Sequence, residues 1–196
     1  MILAGCSGGN APSSQSGSDA TTPSDAGSGE LKSLTEPIAE QPVLITSAGQ
    51  SADYEMIKVV LENNEIAFTA NMLASKDDFG DAKTLVVAIG GSSKGLGAAG
   101  IDADAELKRV EQLLSDAKDA GLTIIAAHIG GDGRRGQLGD RYIEPCVKAS
   151  DYTVVVEAGN ADGLFTRIAL DNDIPIAIVP SITEVIPALG DAFIKQ

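Results

Sequence analysis

From Pro42 onward, short apolar runs alternate with polar, glycine-rich segments. Val43-Leu-Ile-Thr46 is the first run, rich in β-branched side chains, and reads as a strand. The segment that starts at Gly49-Gln-Ser51 and continues to about Asn63 carries Met56, Val59, Val60 and Asn63 at helical spacing, with Ser51 placed as its cap. Further strands are expected over 66–69, 84–89, 123–127, 152–156 and 174–179. The run at 84–89 is continuously apolar, as a parallel strand covered on both faces should be. Asp102 or Asp104 caps a long helix to about Ala120, with Leu107, Val110, Leu113, Leu114 and Ala117 on one stripe and Gly121 closing it. Two more helices are expected over 165–172 and 183–195. The repeated β-α-β order predicts an α/β fold: a three-layer, doubly wound, mostly parallel sheet of about five to six strands, flavodoxin-like in the order of its elements.

The pattern stops abruptly upstream. Residues 7–29 hold seven Ser, five Gly, two Pro and two Thr, and no Leu, Ile, Val or Phe. Such a segment cannot bury enough apolar surface to offset its ordering entropy, so a disordered linker is expected there. The organisation that follows is a tail over residues 1–40 and a ligand-binding α/β domain over residues 41–196. Leu3-Ala4-Gly5-Cys6, just before the linker, resembles the lipobox of bacterial lipoproteins, in which small residues precede a cysteine that becomes lipidated. The basic and apolar regions of a working signal would then lie upstream of Met1. The resemblance implies a lipid on Cys6 as the protein's only membrane attachment, and an extracytoplasmic position at the cell surface or periplasmic face.

Charge and composition narrow the chemistry. The formal net charge is −14; residues 1–40 carry five acids and one base, which leaves −10 for residues 41–196. So acidic a chain is not attracted non-specifically to nucleic acid or to anionic lipid surfaces. Two cysteines make no disulfide framework, and with one histidine they make no Cys/His zinc site. No metal and no cofactor are expected. Cys146, between Ile143 and Val147, reads as a core residue rather than a nucleophile.

The unusual residues sit where the strands end. In a doubly wound sheet, ligands bind outside the carboxyl ends of the strands. Those ends lead into Ser47-Ala-Gly-Gln-Ser51, into Gly90-Gly-Ser-Ser-Lys-Gly-Leu-Gly-Ala-Ala-Gly100, into His128-Ile-Gly-Gly-Asp-Gly-Arg-Arg-Gly136, and into Glu157-Ala-Gly-Asn-Ala-Asp162. The opposite ends, such as Asn63-Asn64-Glu65, are plain connectors. The second loop fails both nucleotide motifs, because its Lys precedes the glycine of a P-loop and its Gly-x-Gly-x-x-Gly follows the third strand rather than the first. Its physical content remains that of an oxyanion cradle: close backbone approach, exposed N–H donors and one cation, Lys94. A wide turn that merely lets the chain pass fits the same residues.

Candidate ligand-binding residues are therefore Ser47, Gln50, Ser51, Gly91, Ser92, Ser93, Lys94, Gly95, His128, Arg134, Arg135 and Glu157. Guanidinium forks suit carboxylate or phosphate, although Asp132 and Asp140 could equally pair with the arginines and order their loop. Glu157 and Asp162 suit the amino end of a zwitterion. His128 ends the fourth strand, where either a general base or a packed residue would stand.

Over residues 42–180 the domain resembles a family of uncharacterised bacterial lipoprotein domains. The resemblance runs through residues 43–51, Lys94-Gly-Leu-Gly-Ala-Ala-Gly100, His128-Ile-Gly-Gly131 with Arg134-Arg135-Gly136, and Asp162-Gly-Leu-Phe165. It implies location and fold and supplies no reaction. Flavodoxins share the element order only, since the later loops lack aromatic residues to sandwich a flavin. Two function classes follow. One is a lipid-anchored binding protein for a small anionic or zwitterionic solute, serving a transporter or sensor. The other is a surface-tethered hydrolase or transferase for an anionic substrate, with His128 as base.

Overall fold

A computed structural model describes residues 30–195. Its strands are β1 (Val43–Ala48), β2 (Phe68–Ala70), β3 (Thr84–Ile89), β4 (Thr123–His128), β5 (Tyr152–Val156) and β6 (Ile176–Val179). They form one parallel sheet in the order β2-β1-β3-β4-β5-β6. The helices are α1 (Asp53–Asn63), α2 (Ser93–Ala99), α3 (Ala103–Asp119), α4 (Gln137–Asp140), α5 (Ile143–Ala149), α6 (Leu164–Asn172) and α7 (Ile182–Gly190).

Strand alternation divides the core into two layers. Val43, Ile45, Val86, Ala88, Ile125 and Val154 face α1 and α7, where Ile57, Leu61, Val185 and Leu189 cover them. Leu44, Leu85, Val87, Ile124, Ala126 and Val155 face the other way, onto Val110, Leu113 and Leu114 of α3, Ile143 and Val147 of α5, and Phe165 of α6. This is the doubly wound α/β sheet expected from the element order. Its switch point is the crevice between β1 and β3, because the chain leaves β1 for β2 on one side and returns to β3 on the other.

Several local expectations are corrected by packing. Helix α1 starts at Asp53 with Ala52 as its N-cap residue; the Ser51 hydroxyl accepts from Asp53 N at 3.3 Å. Its buried face is Tyr54, Ile57, Val60 and Leu61, while Met56 and Val59 are exposed. The apolar residues of this helix go nearly all the way round, so spacing alone did not select the covered face. Strand β1 runs on to Ala48 because Ser47 and Ala48 pair with Ala88 and Ile89. Helix α7 stops at Gly190, since the chain must turn there for Ala192 O to accept from the backbone N–H groups of Ile38 and Ala39.

That last contact moves the expected domain boundary at residue 41 upstream. Residues 30–40 lie along the amino ends of the strands. Lys32 O accepts from Ile176 N, Thr123 Oγ1 donates to Ile38 O, Ala39 is fully buried, and Leu34 and Ile38 pack on the core. Cys6 and the linker over 7–29 lie outside the described residues.

Candidate functional site

The loop after β1 turns over the switch point with two residues at positive φ, Gly49 at 100° and Gln50 at 58°. The second is costly for a side-chain-bearing residue and persists only where surroundings impose it. Glu106, in the first turn of α3 and fully buried, imposes it. Its Oε1 accepts from Gly49 N at 3.0 Å and from Gln50 Nε2 at 2.8 Å. Arg109, one helical turn on, donates Nε to Glu106 Oε2 at 2.8 Å, Nη1 to Ala74 O and Nη2 to Ser47 O. An ion pair inside α3 thus clamps the β1 loop. Sequence reasoning missed it, because Glu106 and Arg109 look like any (i, i+3) pair on a charged helix face.

The loop after β3 does not form an open cradle. Ser92 caps α2, its hydroxyl accepting from Gly95 N at 3.0 Å, and residues 93–99 are helical. The glycines serve close backbone approach. A Cβ at Gly95 would stand 1.9 Å from Gln50 O, and one at Gly91 would stand 2.7 Å from Gly139 N. Ser93 and Lys94 point to solvent, and Lys94 has no ionic partner among the described residues.

Both loop arginines meet acids, in partly different pairs from those expected. Arg135 donates Nε to Asp140 Oδ1 at 2.6 Å, Nη2 to Asp162 Oδ2 at 2.8 Å and Nη1 to Gly159 O, and it lies over the Phe165 ring. Its bonds hold the Asp162 carboxyl down at about 2 and raise its own pKa. Arg135 therefore ties the β4 loop to the β5 loop. Arg134 donates Nε to Asp53 Oδ1 at 3.1 Å, while Asp132 stays exposed. The terminal nitrogens of Arg134 have no hydrogen-bond partner among the described residues, and its side chain is one-third exposed.

His128 is completely buried between Ile89 O on Nδ1 and Gly131 O on Nε2, both at 3.0 Å, with Phe165 5.0 Å away. A Cβ at Gly159 would come within 2.5 Å of its ring. Neither nitrogen faces a substrate position, so the general-base role weighed for His128 is replaced by a packed, bracing one. Burial lowers its pKa, the two carbonyls and Asp53 oppose that, and Arg135 adds a small lowering. A depressed histidine binds its proton more readily when unfolded. Stability should therefore be complete above the ordinary value of 6.5 and fall as the pH drops below it. Urea unfolding across this range should show that slope in the wild type and a flatter one in His128→Gln.

Among the other candidates, the Ser47 hydroxyl is buried and without a partner among the described residues, Gln50 also donates to Met72 O, and Glu157 is exposed at the end of β5. Cys146 is fully buried and its thiol pKa is pushed strongly up, so it is a core residue. No group of three His, Cys, Asp or Glu placed to hold a metal occurs among the described residues. A groove of about 650 Å³ lies at the far, amino end of the sheet, lined by Leu34, Tyr152, Ile176, Phe193 and Ile194. It offers apolar surface where the fold does not place ligand chemistry.

The model of a family described as "Domain of unknown function (DUF6305)" matches residues 40–193. The chain belongs to this family. The DUF6305 match spans the whole sheet and every loop described above. No match was found among curated proteins. A solved structure, that of a GDSL-like lipase from Bacteroides thetaiotaomicron VPI-5482, is similar over 73% of this chain and 71% of that chain, at 12% identity and a TM-score of 0.32. That likeness carries no functional argument.

Proposed function

We propose that this DUF6305 domain binds a small anionic or zwitterionic solute at the carboxyl ends of its strands, beside the β1–β3 switch point. The observation that carries the reading is Arg134. Its Nε is anchored on Asp53, which aims the guanidinium, and its terminal nitrogens remain unpaired at the surface. Lys94, on the α2 turn beside the same crevice, adds a second exposed cation. A fixed guanidinium edge is preorganised for carboxylate or phosphate, and a nearby ammonium adds attraction without fixing geometry.

In this proposal a lipid on Cys6 holds the domain on the extracytoplasmic face of a membrane, and a transporter or sensor receives the solute. The described chain begins at the amino ends of the strands, so a tether joined there leaves the binding end facing outward. The catalytic reading has less support, since His128 is enclosed by backbone carbonyls.

Thermal shift with carboxylates, phosphates and amino acids tests the proposal. Stabilisation should grow with the logarithm of ligand concentration above its Kd. Arg134→Ala should weaken binding roughly ten- to a hundredfold, about 1.5–3 kcal/mol for a charge-assisted contact, while Lys94→Ala should weaken it only severalfold, as for an exposed charge, and leave the unliganded melting temperature unchanged. No shift by any of these compounds at millimolar concentration would overturn the proposal.

A further inference from the structure

Asp53 carries an unexplained feature. Its side chain is only 9% exposed, yet one carboxylate oxygen, Oδ2, is buried with no hydrogen-bond partner among the described residues, while Oδ1 holds Arg134. Orphaned buried carboxylate oxygens are costly and rare, and a native one calls for a partner. The backbone around it is bare. A Cβ at Gly90 would stand 3.0 Å from Oδ2 and 2.7 Å from the Ser51 hydroxyl oxygen, and a Cβ at Gly130 would stand 2.3 Å from Oδ2. Neither glycine has room for a Cβ, so both backbones and the side chains around them pack closely against the orphan oxygen. The same point above Gly130 is 2.2 Å from Arg134 Cγ, so the Arg134 stem is what lies over Oδ2. One hydrogen bond and a one-third exposed side chain hold that cover in place.

We infer that Asp53 Oδ2, with Ser51 Oγ beside it, is the receptor for an ammonium group, and that the solute is an α-amino acid. This rests on the solute-binding reading above and chooses within it. Asp53 and Arg134 form an adjacent negative and positive pair, each with an unused edge. A molecule with ammonium and carboxylate on one carbon spans such a pair: its N–H groups donate to Oδ2 and to the Ser51 hydroxyl oxygen, and its carboxylate accepts from the Arg134 terminal nitrogens. A shift of the Arg134 stem that keeps its Nε on Asp53 Oδ1 uncovers Oδ2 and leaves the terminal nitrogens facing the carboxylate. A simple anion would engage Arg134 and leave the orphan oxygen unanswered, with like charge added beside it. The site therefore discriminates by what it leaves unpaired.

The test compares matched pairs on the wild-type protein by thermal shift and calorimetry: glycine with acetate, alanine with propionate, aspartate with succinate, glutamate with glutarate. At least one amino acid should bind ten times more tightly than its deaminated partner. Asp53→Asn, checked for folding by its own melt, should erase that preference. Equal binding within the pairs overturns the inference and leaves the anion reading standing. Binding by neither class overturns both. A preference that survives in folded Asp53→Asn removes Asp53 from the role. Because the pairs are compared on the unaltered protein, the choice of solute class does not depend on the variant folding.

Discussion

Glu106→Ala should cost the fold about 3–5 kcal/mol, the range for breaking a buried ion pair by removing one partner. Glu106 is completely buried, and removing it leaves Gly49 N without its acceptor, Gln50 Nε2 with only Met72 O, and the Arg109 charge with only the carbonyls of Ala74 and Ser47. The loss extends beyond one pair. Gln50 sits at a φ of 58°, and without the carboxylate only its bond to Met72 O and its bridge to Gly91 hold that conformation. The β1 loop should relax away from the crevice, carrying Ser51 and the start of α1 with it. Denaturant unfolding measures the effect. In the double variant Glu106→Leu with Arg109→Leu the part of the loss that comes from the unpaired Arg109 charge should be recovered, because two apolar groups leave no charge uncompensated, while the loss at Gly49 N remains. If instead the double variant is as unstable as the sum of the singles, the pair is not the clamp described.

Two glycines on the same short helix should respond in opposite directions. Gly95→Ala places a methyl group 1.9 Å from the Gln50 carbonyl oxygen, a backbone atom that cannot rotate away. Helix α2 must lift off the β1 loop, at about 1–3 kcal/mol as for other overpacked sites. Gly97→Ala, half a turn on, meets open space. There the substitution should stabilise by about 0.5–1 kcal/mol, because alanine loses less backbone freedom on folding. Melting temperatures of the two variants settle the comparison. A stable Gly95→Ala protein would mean that α2 does not pack on the Gln50 carbonyl.

The helix and strand order was legible because it rests on local pattern. The runs at 84–89 and 152–156 matched their strands to the residue, since a parallel strand covered on both faces reads as a nearly continuous apolar, β-branched run. Asp102 and Asp104 were both readable as the cap of α3, and the structure selects Asp102, whose carboxylate accepts from Asp104 N and Ala105 N. The covered face of α1 was not readable, because which of its apolar residues meet the sheet depends on the rotation set by α7 and β1. Nor was the start of the folded unit. Leu34, Ile38 and Ala39 look like the end of a polar tail until the amino ends of β4 and β6 and the turn after α7 are there to receive them.

By itself the sequence determined a doubly wound α/β domain and the end of its sheet where the unusual residues collect. Both follow from short-range rules, the alternation of elements and the concentration of glycine and charge in four loops. Only the tertiary structure decided what those residues do. Arg135 joins two loops, His128 is packed between two backbone carbonyls and donates to one of them, and Gly91 and Gly95 admit neighbouring backbones. Lys94 and the terminal nitrogens of Arg134 have no partner among the described residues. The acids that make these divisions, Asp53, Glu106 and Asp162, stand many residues from their partners or pass for surface charge, and an ion pair depends on distance in space, which spacing along the chain does not encode.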